Sequence, residues 1–168
     1  ELRPLGRTAR GVKSMNLREG DNLVSMDVLT SDLVDQLAKI DDLSKNIEEN
    51  LDVNSSDGPW VLIASAFGLG KRVPVTQFRL QKRAGMGLRA IKFRIENDVL
   101  VCLKVLGEGE ELLFVTEKGV IVRTNADKIS QQSRAATGVK LQRLDEGDHL
   151  SEVVLVPHEQ IELSLIHI

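Results

Sequence analysis

One short pattern occurs three times in this chain, and it restricts the fold more than any other feature. Each copy holds an arginine, a glycine four residues later, then an aliphatic residue and a cation. The copies span residues 7–13, 83–89 and 134–140, which we call basic motifs 1, 2 and 3. A chain that repeats itself over such lengths is built as an array of similar structural units rather than around one irregular core.

A second pattern follows each basic motif and supports the same repeat. A glutamate is followed by an aspartate two residues later and by a leucine four residues later. These acidic turns 1, 2 and 3 are residues 19–23, 96–100 and 146–150. The arginines of motifs 2 and 3 are 51 residues apart, whereas those of motifs 1 and 2 are 76 apart, so an insertion separates the first two copies. We expect the chain to be a fragment that starts inside a repeat.

Each repeat is predicted to contain four short strands. Residues 60–66 form an apolar, partly β-branched run that is typical of a buried strand. Residues 67–70 indicate a glycine-containing turn, and residues 71–75 a returning strand in which Pro74 suits an edge or an end. The other predicted strands are residues 87–93, 99–105, 112–116, 120–123, 138–144 and 153–156. Four strands in about 50 residues are typical of a propeller blade, and a sandwich of unrelated hairpins is the alternative.

The predicted fold class is therefore all-β, a propeller-like array of about two and a half blades with an acidic, partly helical insertion. The insertion, residues 30–58, holds eight acidic residues and two lysines. It is interpreted as a solvated excursion or as an acidic decoy that competes with an anionic ligand for the basic face. The predicted divisions are the end of a blade at 1–29, the insertion at 30–58, complete blades at 59–106 and 107–157, and an unmatched tail at 158–168.

The charge distribution indicates a polyanionic partner even though the net charge is −3. Residues 71–94 hold eight cations and no acid, and residues 118–143 hold six cations and one acid. Clustering of cations on one surface matters more than net charge for binding nucleic acid. Because no recognition helix or aromatic stacking surface is evident, we predict binding to double-stranded DNA through its phosphates, without strong sequence preference.

The candidate DNA-contacting residues are cations that recur in or beside the basic motifs. They are Arg7, Lys13, Lys71, Arg72, Lys82, Arg83, Arg89, Arg123, Arg134 and Lys140. The motif glycines Gly11, Gly87 and Gly138 are predicted to let backbone N–H groups come close to phosphates. The alternative interpretation, turn glycines with solvated arginines, fits any single copy, but three copies at matched spacing favour phosphate contact.

Other chemistry finds little support in the sequence. The single cysteine, Cys102, lies in an apolar strand and excludes an internal disulfide or a thiolate metal cluster. The three histidines do not suggest a metal site, and no nucleophile motif or phosphate-binding loop with its full pattern is present. No apolar run approaches the length of a membrane span, so no membrane partner is predicted.

The repeated residues resemble the C-terminal domain of the DNA gyrase A subunit and of its topoisomerase IV counterpart. The resemblance rests on Gly70-Lys71-Arg72, the basic motifs and the acidic turns, over residues 1–28 and 59–157. Residues 81–87, Gln-Lys-Arg-Ala-Gly-Met-Gly, are similar to the family's gyrase box, Gln-Arg-Arg-Gly-Gly-Lys-Gly, and differ at its second, fourth and sixth positions. In that family the domain is a six-bladed, propeller-like β-pinwheel that wraps DNA so that strand passage introduces negative supercoils.

The resemblance implies the DNA-wrapping part of an ATP-dependent type II topoisomerase. It implies no catalytic residue, cofactor or metal in this fragment, because the family's cleavage tyrosine lies in another domain and this chain has no tyrosine. ATP and Mg²⁺, the gyrase B subunit, and a second copy of the A chain would be engaged by other parts of the holoenzyme. The implied compartment is the bacterial cytoplasm or nucleoid, or a plant chloroplast or mitochondrion. The alternatives are a topoisomerase IV-type bending domain or a propeller that binds proteins.

Overall fold

The computed structural model describes residues 3–31, 34–35 and 58–156, and this part of the chain is all-β apart from short helical turns. The seven strands are β1 Trp60–Ser65, β2 Leu69–Pro74, β3 Leu100–Leu106, β4 Glu111–Thr116, β5 Ile121–Asn125, β6 Val139–Lys140 and β7 Leu150–Val156. Single 3₁₀ turns at Val75–Gln77 and Ala126–Lys128 follow β2 and β5. The predicted all-β, propeller-like class is confirmed. Most of the predicted insertion at 30–58 and the whole predicted tail at 158–168 lie outside the described residues.

The strands form two antiparallel sheets that repeat one plan. The first sheet has the order β3-β1-β2-β6, and the second has the order β5-β4-β7. In each sheet a hairpin, β1-β2 or β4-β5, is joined on its first strand by a strand that comes later in the chain. That pairing has an irregularity at Ala64/Ser65 in the first sheet and at Val115/Thr116 in the second, so even the bulge keeps the 51-residue period.

The fourth strand of the first sheet comes from the next repeat. β6 pairs with β2 through Leu69 with Lys140 and Gly70 with Val139. The predicted strand at 138–144 is therefore only two residues long, and it completes the preceding blade rather than its own. Hydrogen bonding thus crosses the division predicted between residues 106 and 107, and the blades are joined by shared strands.

The prediction of a strand at residues 87–93 is wrong. This segment corresponds to the region of β6, which needs the hairpin of a preceding repeat beside it, and no such hairpin lies in the described chain. Its backbone instead runs toward basic motif 3, where the Lys92 N–H donates to the Ala136 carbonyl at 3.3 Å. The other predicted strands are found with shifted ends, and Pro74 ends β2 as expected.

Two hydrophobic clusters cover both faces of the first sheet. One cluster packs between the sheets and includes Leu62, Leu106, Phe114 and Leu150. The other lies on the opposite face and includes Ile63 and other buried aliphatic residues. Because both faces are covered, all six residues of β1 are buried, whereas β4 alternates between buried and half-buried residues.

The acidic turns hold the hairpins of their own blades. The Asp98 carboxylate accepts from the Phe67 N–H at 3.1 Å, and the Asp148 carboxylate accepts from the Lys118 N–H at 3.1 Å. Both aspartates are buried, and each also accepts from the N–H of the residue that follows it. The aspartates of acidic turns 2 and 3 therefore act locally, as acceptors for backbone N–H groups of their own blades.

The pKa of Asp148 is lowered in the folded protein. Burial alone would raise this pKa, but hydrogen bonds from the Thr116 side chain and from the N–H groups of Lys118 and His149 outweigh it, helped by the Lys118 charge. A carboxyl with a lowered pKa stabilises the fold above its ordinary value of 3.8, and this contribution is lost as the pH falls through the lower, folded value.

The Asp148→Ala variant is expected to unfold at lower urea than the parent, because the Lys118 N–H of the β4-β5 turn and the His149 N–H of acidic turn 3 lose their acceptor. In Asp148→Asn the free energy of unfolding should fall less steeply as the pH drops below 3.8, because the carboxyl with the lowered pKa has been removed. Urea unfolding followed by circular dichroism at pH 7 and pH 3 measures both effects. Asp145→Ala is the control, because Asp145 is exposed and directly precedes acidic turn 3. An equal loss of stability in that variant would contradict the role of Asp148.

Candidate nucleic-acid interface

The segment that directly follows basic motif 1, residues 14–16, lies against basic motif 2 through its backbone. The Ala84 N–H donates to the Ser14 carbonyl at 2.8 Å, and the Asn16 N–H donates to the Gly85 carbonyl at 2.9 Å. The Asn16 side-chain amide also donates to the Ala84 carbonyl. These contacts join the end of motif 1 to the start of motif 2, although 67 residues of sequence separate Asn16 from Arg83.

Basic motifs 2 and 3 are joined in a similar way. The Arg134 guanidinium donates to the Arg89 carbonyl at 2.9 Å, and the Lys92 N–H donates to the Ala136 carbonyl. Motif 2 is therefore in contact with the residues directly after motif 1 and with motif 3. The three copies form one continuous row, which we call the basic row (residues 7–13, 83–89 and 134–140).

Most cations of the basic row are exposed to solvent. Those among the sequence candidates are Arg7, Lys13, Arg83, Arg89 and Lys140, and the candidate Lys82, directly before motif 2, is exposed as well. The three motif segments contain no aspartate or glutamate, so nothing within them neutralises these charges. Their role in binding DNA stays a prediction, and the structure contributes the observation that they belong to one row.

Lys71 corrects the sequence prediction, because it is a structural residue and not a surface cation. Its side chain is fully buried, and its Nζ donates to the carbonyls of Ser133, Arg134 and Ala136 at 2.7–2.8 Å. Burial and then the Arg134 charge lower the pKa of Lys71 to about 8. The ammonium therefore holds basic motif 3 against β2 from the inside and cannot reach a phosphate.

Arg72 is also used inside the protein. Its guanidinium lies 4.6 Å from the centre of the Trp60 ring and donates to the Asp127 carboxylate at 2.9 Å. Its backbone accepts from the Gln132 N–H and donates to the Ser130 carbonyl. The Trp60 indole completes the joint by donating to Gln131 at 2.7 Å. Arg72 thus fixes residues 127–132 along the edge of β2, and its role as a DNA contact stays a prediction.

Arg123 and Arg134 differ from the other candidates in their surroundings. Arg123 is exposed, but its guanidinium is paired with the Glu111 carboxylate across β4 and β5. Arg134 is half-buried, with its guanidinium directed by the Arg89 carbonyl. Arg123 lies on the second sheet outside the basic row, whereas Arg134 is part of the row.

The motif glycines share one backbone conformation but not one role. Gly11, Gly87 and Gly138 have φ values of 78°, 75° and 83°, which an L-residue adopts only at a cost. A Cβ on Gly138 would lie 2.8 Å from the Gly70 carbonyl oxygen, whereas a Cβ on Gly11 would meet nothing within 4 Å. The close approach predicted for Gly138 is therefore made to the preceding blade and not to a ligand.

Two functional features escaped the sequence analysis. One is the lysine that holds basic motif 3 from within, and the other is a cavity between motifs 2 and 3, lined by Arg79 and Ser133 among others. Ser133 carries no signal of its own in the sequence, while Arg79 belongs to the acid-free stretch at 71–94 and could have been considered on that ground.

In the described part of the chain, no helix is long and apolar enough to cross a membrane.

Comparison with known families identifies the repeats. A family model described as the DNA gyrase C-terminal domain, a β-propeller, matches residues 1–30, 59–101 and 110–157. The first stretch that it omits coincides with the acidic insertion predicted from the sequence. The matched segments contain all three basic motifs and all three acidic turns.

Individual proteins show the same similarity. The DNA gyrase A protein of Synechocystis sp. is 48% identical over 163 residues, covering 94% of the chain and 19% of that protein. The DNA gyrase A protein of Staphylococcus epidermidis is 38% identical over 158 residues, covering 94% of the chain and 15% of that protein. The chain therefore spans less than a fifth of the length of these curated relatives.

Solved structures agree with the fold. The structure of a DNA gyrase A C-terminal domain matches with a TM-score of 0.53 at 31% identity, covering 57% of the chain and 33% of that structure. The crystal structure of a DNA topoisomerase IV C-terminal domain matches with a TM-score of 0.54 at 22% identity, covering 64% of the chain and 32% of that structure. At this identity the second match speaks for the fold alone.

Proposed function

Because the chain belongs to the DNA gyrase C-terminal domain family, we propose that it binds duplex DNA through the phosphates and bends it along the basic row. The observation that carries the proposal is that basic motif 2 contacts both basic motif 3 and the segment directly after basic motif 1. Each motif brings exposed cations and no acid, so adjoining motifs make a surface that a polyanion can follow. Double-stranded DNA is the proposed partner, and its sequence is read weakly or not at all.

A row built from repeated blades suits a bent duplex better than a straight one. Each blade presents its motif once, and the shared strand β6 fixes the position of motif 3 relative to the first sheet. Bending 20–30 base pairs costs on the order of 1–6 kcal/mol, and further phosphate contacts along the row offset this cost. The part of the protein that lies on the row can therefore hold DNA in a curve without contacting base edges.

The wider role of the protein follows from the same family. We propose that the domain supplies DNA wrapping to an ATP-dependent type II topoisomerase, in which DNA cleavage and ATP hydrolysis with Mg²⁺ take place elsewhere. The gyrase B subunit, together with a second copy of the A chain, would be contacted by those other parts. The bacterial relatives support the bacterial nucleoid as its compartment over a plant organelle.

Energy transfer between dyes at the two ends of a duplex of about 100 base pairs tests the proposal directly. The protein is expected to raise transfer at low salt, and the signal should fade as salt rises because phosphate contacts release counterions. Binding without increased transfer would mean that the row is a flat basic platform. Absence of binding by protein that is folded by circular dichroism would contradict the proposed function.

Neutralising Arg83 of the row together with its exposed neighbour Lys82 should weaken the salt dependence of binding. Lys82→Gln combined with Arg83→Gln is expected to reduce the slope of log affinity against log salt by about 2, because each phosphate contact contributes roughly 0.9. Fluorescence anisotropy at several salt concentrations measures the slope. The matched control is Lys128→Gln combined with Arg143→Gln, which removes the same charge from two exposed residues outside the row. An equal fall in the control slope would exclude the row as the binding surface.

A further inference from the structure

We propose that an open cavity between basic motifs 2 and 3 is a binding site for a single phosphate group, formed by Arg79, Arg134 and the backbone of residues 133–135. The cavity has a volume of about 430 Å³. Its lining residues are Thr76, Gln77, Arg79, Leu88, Ser133, Arg134 and Ala135. The inference rests on the proposed function, since the phosphate would belong to the DNA backbone, and it assigns one place on the row where that phosphate is held.

The buried ammonium of Lys71 orients the backbone of this site by binding its carbonyl oxygens. The carbonyls of Ser133 and Arg134 accept from Nζ, and the Arg134 N–H donates to the Gln77 side chain at 2.8 Å. With these groups occupied, the N–H groups of Ser133 and Ala135 have no acceptor among the described residues. Both residues are exposed and line the cavity. Unpaired N–H groups in a short turn are the usual backbone contribution to an anion site.

Two guanidinium groups supply the charge. Arg79 is exposed and lines the cavity from the side of β2, and Arg134 lines it from basic motif 3. Arg134 is already directed by the Arg89 carbonyl, so part of its conformational freedom is lost before a ligand arrives. A guanidinium binds phosphate oxygens with two parallel N–H groups, and the Ser133 hydroxyl adds a further donor.

The same arrangement disfavours a cation. The donors named above offer N–H and O–H groups to a ligand, and no carboxylate of the described residues lines the cavity. A cation therefore finds no carboxylate ligand there. A phosphate, with oxygens that only accept, fits this set of donors.

Nuclear magnetic resonance of ¹⁵N-labelled protein tests the site without DNA. Inorganic phosphate is expected to shift the amide signals of Ser133 and Ala135, with saturation on the order of millimolar, whereas chloride at equal ionic strength should leave them unchanged. In Arg79→Gln the midpoint of the phosphate titration should rise at least threefold. Arg94→Gln is the matched control, because it removes the same charge from the same acid-free stretch outside the cavity lining. Unchanged Ser133 and Ala135 signals in the parent protein would overturn the site.

A short duplex in the same experiment separates the site from the proposed function. If the duplex shifts the same two signals, the phosphate of DNA occupies the cavity. If inorganic phosphate shifts them and the duplex does not bind, the anion site stands and the DNA-binding function fails. If the duplex binds with steep salt dependence while neither ligand moves these signals, the function stands and the site is wrong.

Discussion

The Gly138→Ala variant is expected to lose about 3 kcal/mol of unfolding free energy. Its φ of 83° costs an alanine roughly 1–2 kcal/mol, and the new Cβ would lie 2.8 Å from the Gly70 carbonyl oxygen. Because the nearest atoms of Gly70 all belong to the backbone, none can turn aside as a side chain would. The strand β6 must then move away from β2, and the first sheet loses its fourth strand. Urea unfolding measures the loss.

Gly119→Ala provides a matched control for Gly138→Ala. Gly119 has the same φ of 83°, but a Cβ there would meet nothing within 4 Å. The control is expected to lose only the conformational part, about 1–2 kcal/mol. Equal losses in the two variants would mean that the approach of Gly138 to Gly70 contributes nothing to stability, and that the blades are joined in another way.

The Lys71→Met variant is expected to lose about 3 kcal/mol at pH 7. Methionine nearly preserves the length and volume of the side chain but leaves the carbonyls of Ser133, Arg134 and Ala136 without the ammonium donor. Motif 3 should loosen before the rest of the protein, since this one ammonium holds three carbonyls at its start. Hydrogen exchange of the Ala136 N–H, which donates to the Ser133 carbonyl, reports that loosening.

The pH dependence of stability gives a second, independent check on Lys71. The pKa of Lys71 in the folded protein, about 8, is lower than the 10.5 of the free side chain. The folded state therefore loses this proton first, and Lys71 adds a rise in stability as the pH increases from about 8 to 10.5. That rise in stability should be absent in Lys71→Met. It should be present in Lys140→Met, which alters an exposed lysine of the basic row. A rise of the same size in both variants would contradict the buried environment of Lys71.

The sequence analysis predicted the repeat and the hairpins well because both depend on short-range patterns. The apolar run of β1 and the acidic turns are visible in consecutive residues, and the structure places the hairpins and the local role of Asp98 and Asp148 where the patterns indicate. The pairing of β6 with β2 could not be read in this way. A two-residue strand has almost no hydrophobic periodicity, and its partner belongs to a different copy of the repeat.

The candidate site was predicted in part for a similar physical reason. A lysine or arginine in the sequence carries the same charge whether it faces water or a cluster of carbonyls, so Lys71 and Arg72 resembled the exposed cations of the row. The repeat held one indication of the difference. In the last blade, Val122 stands at the position of Lys71 and Ile121 at the position of Gly70. No described motif packs against β5, so the last blade keeps neither the lysine nor the glycine.

Because β6 belongs to the next repeat, the first sheet can be completed only after that later part of the chain has been synthesised. When residues 60–74 have left the ribosome, the hairpin can form, but the outer edge of β2 has no partner until residues 139–140 emerge. A growing chain of this kind carries one unpaired strand edge at its newest blade, and such an edge is where nascent chains associate wrongly. The first sheet is thus completed by sequence translated after its own blade, and a chain that stops between residues 107 and 138 would leave this sheet open.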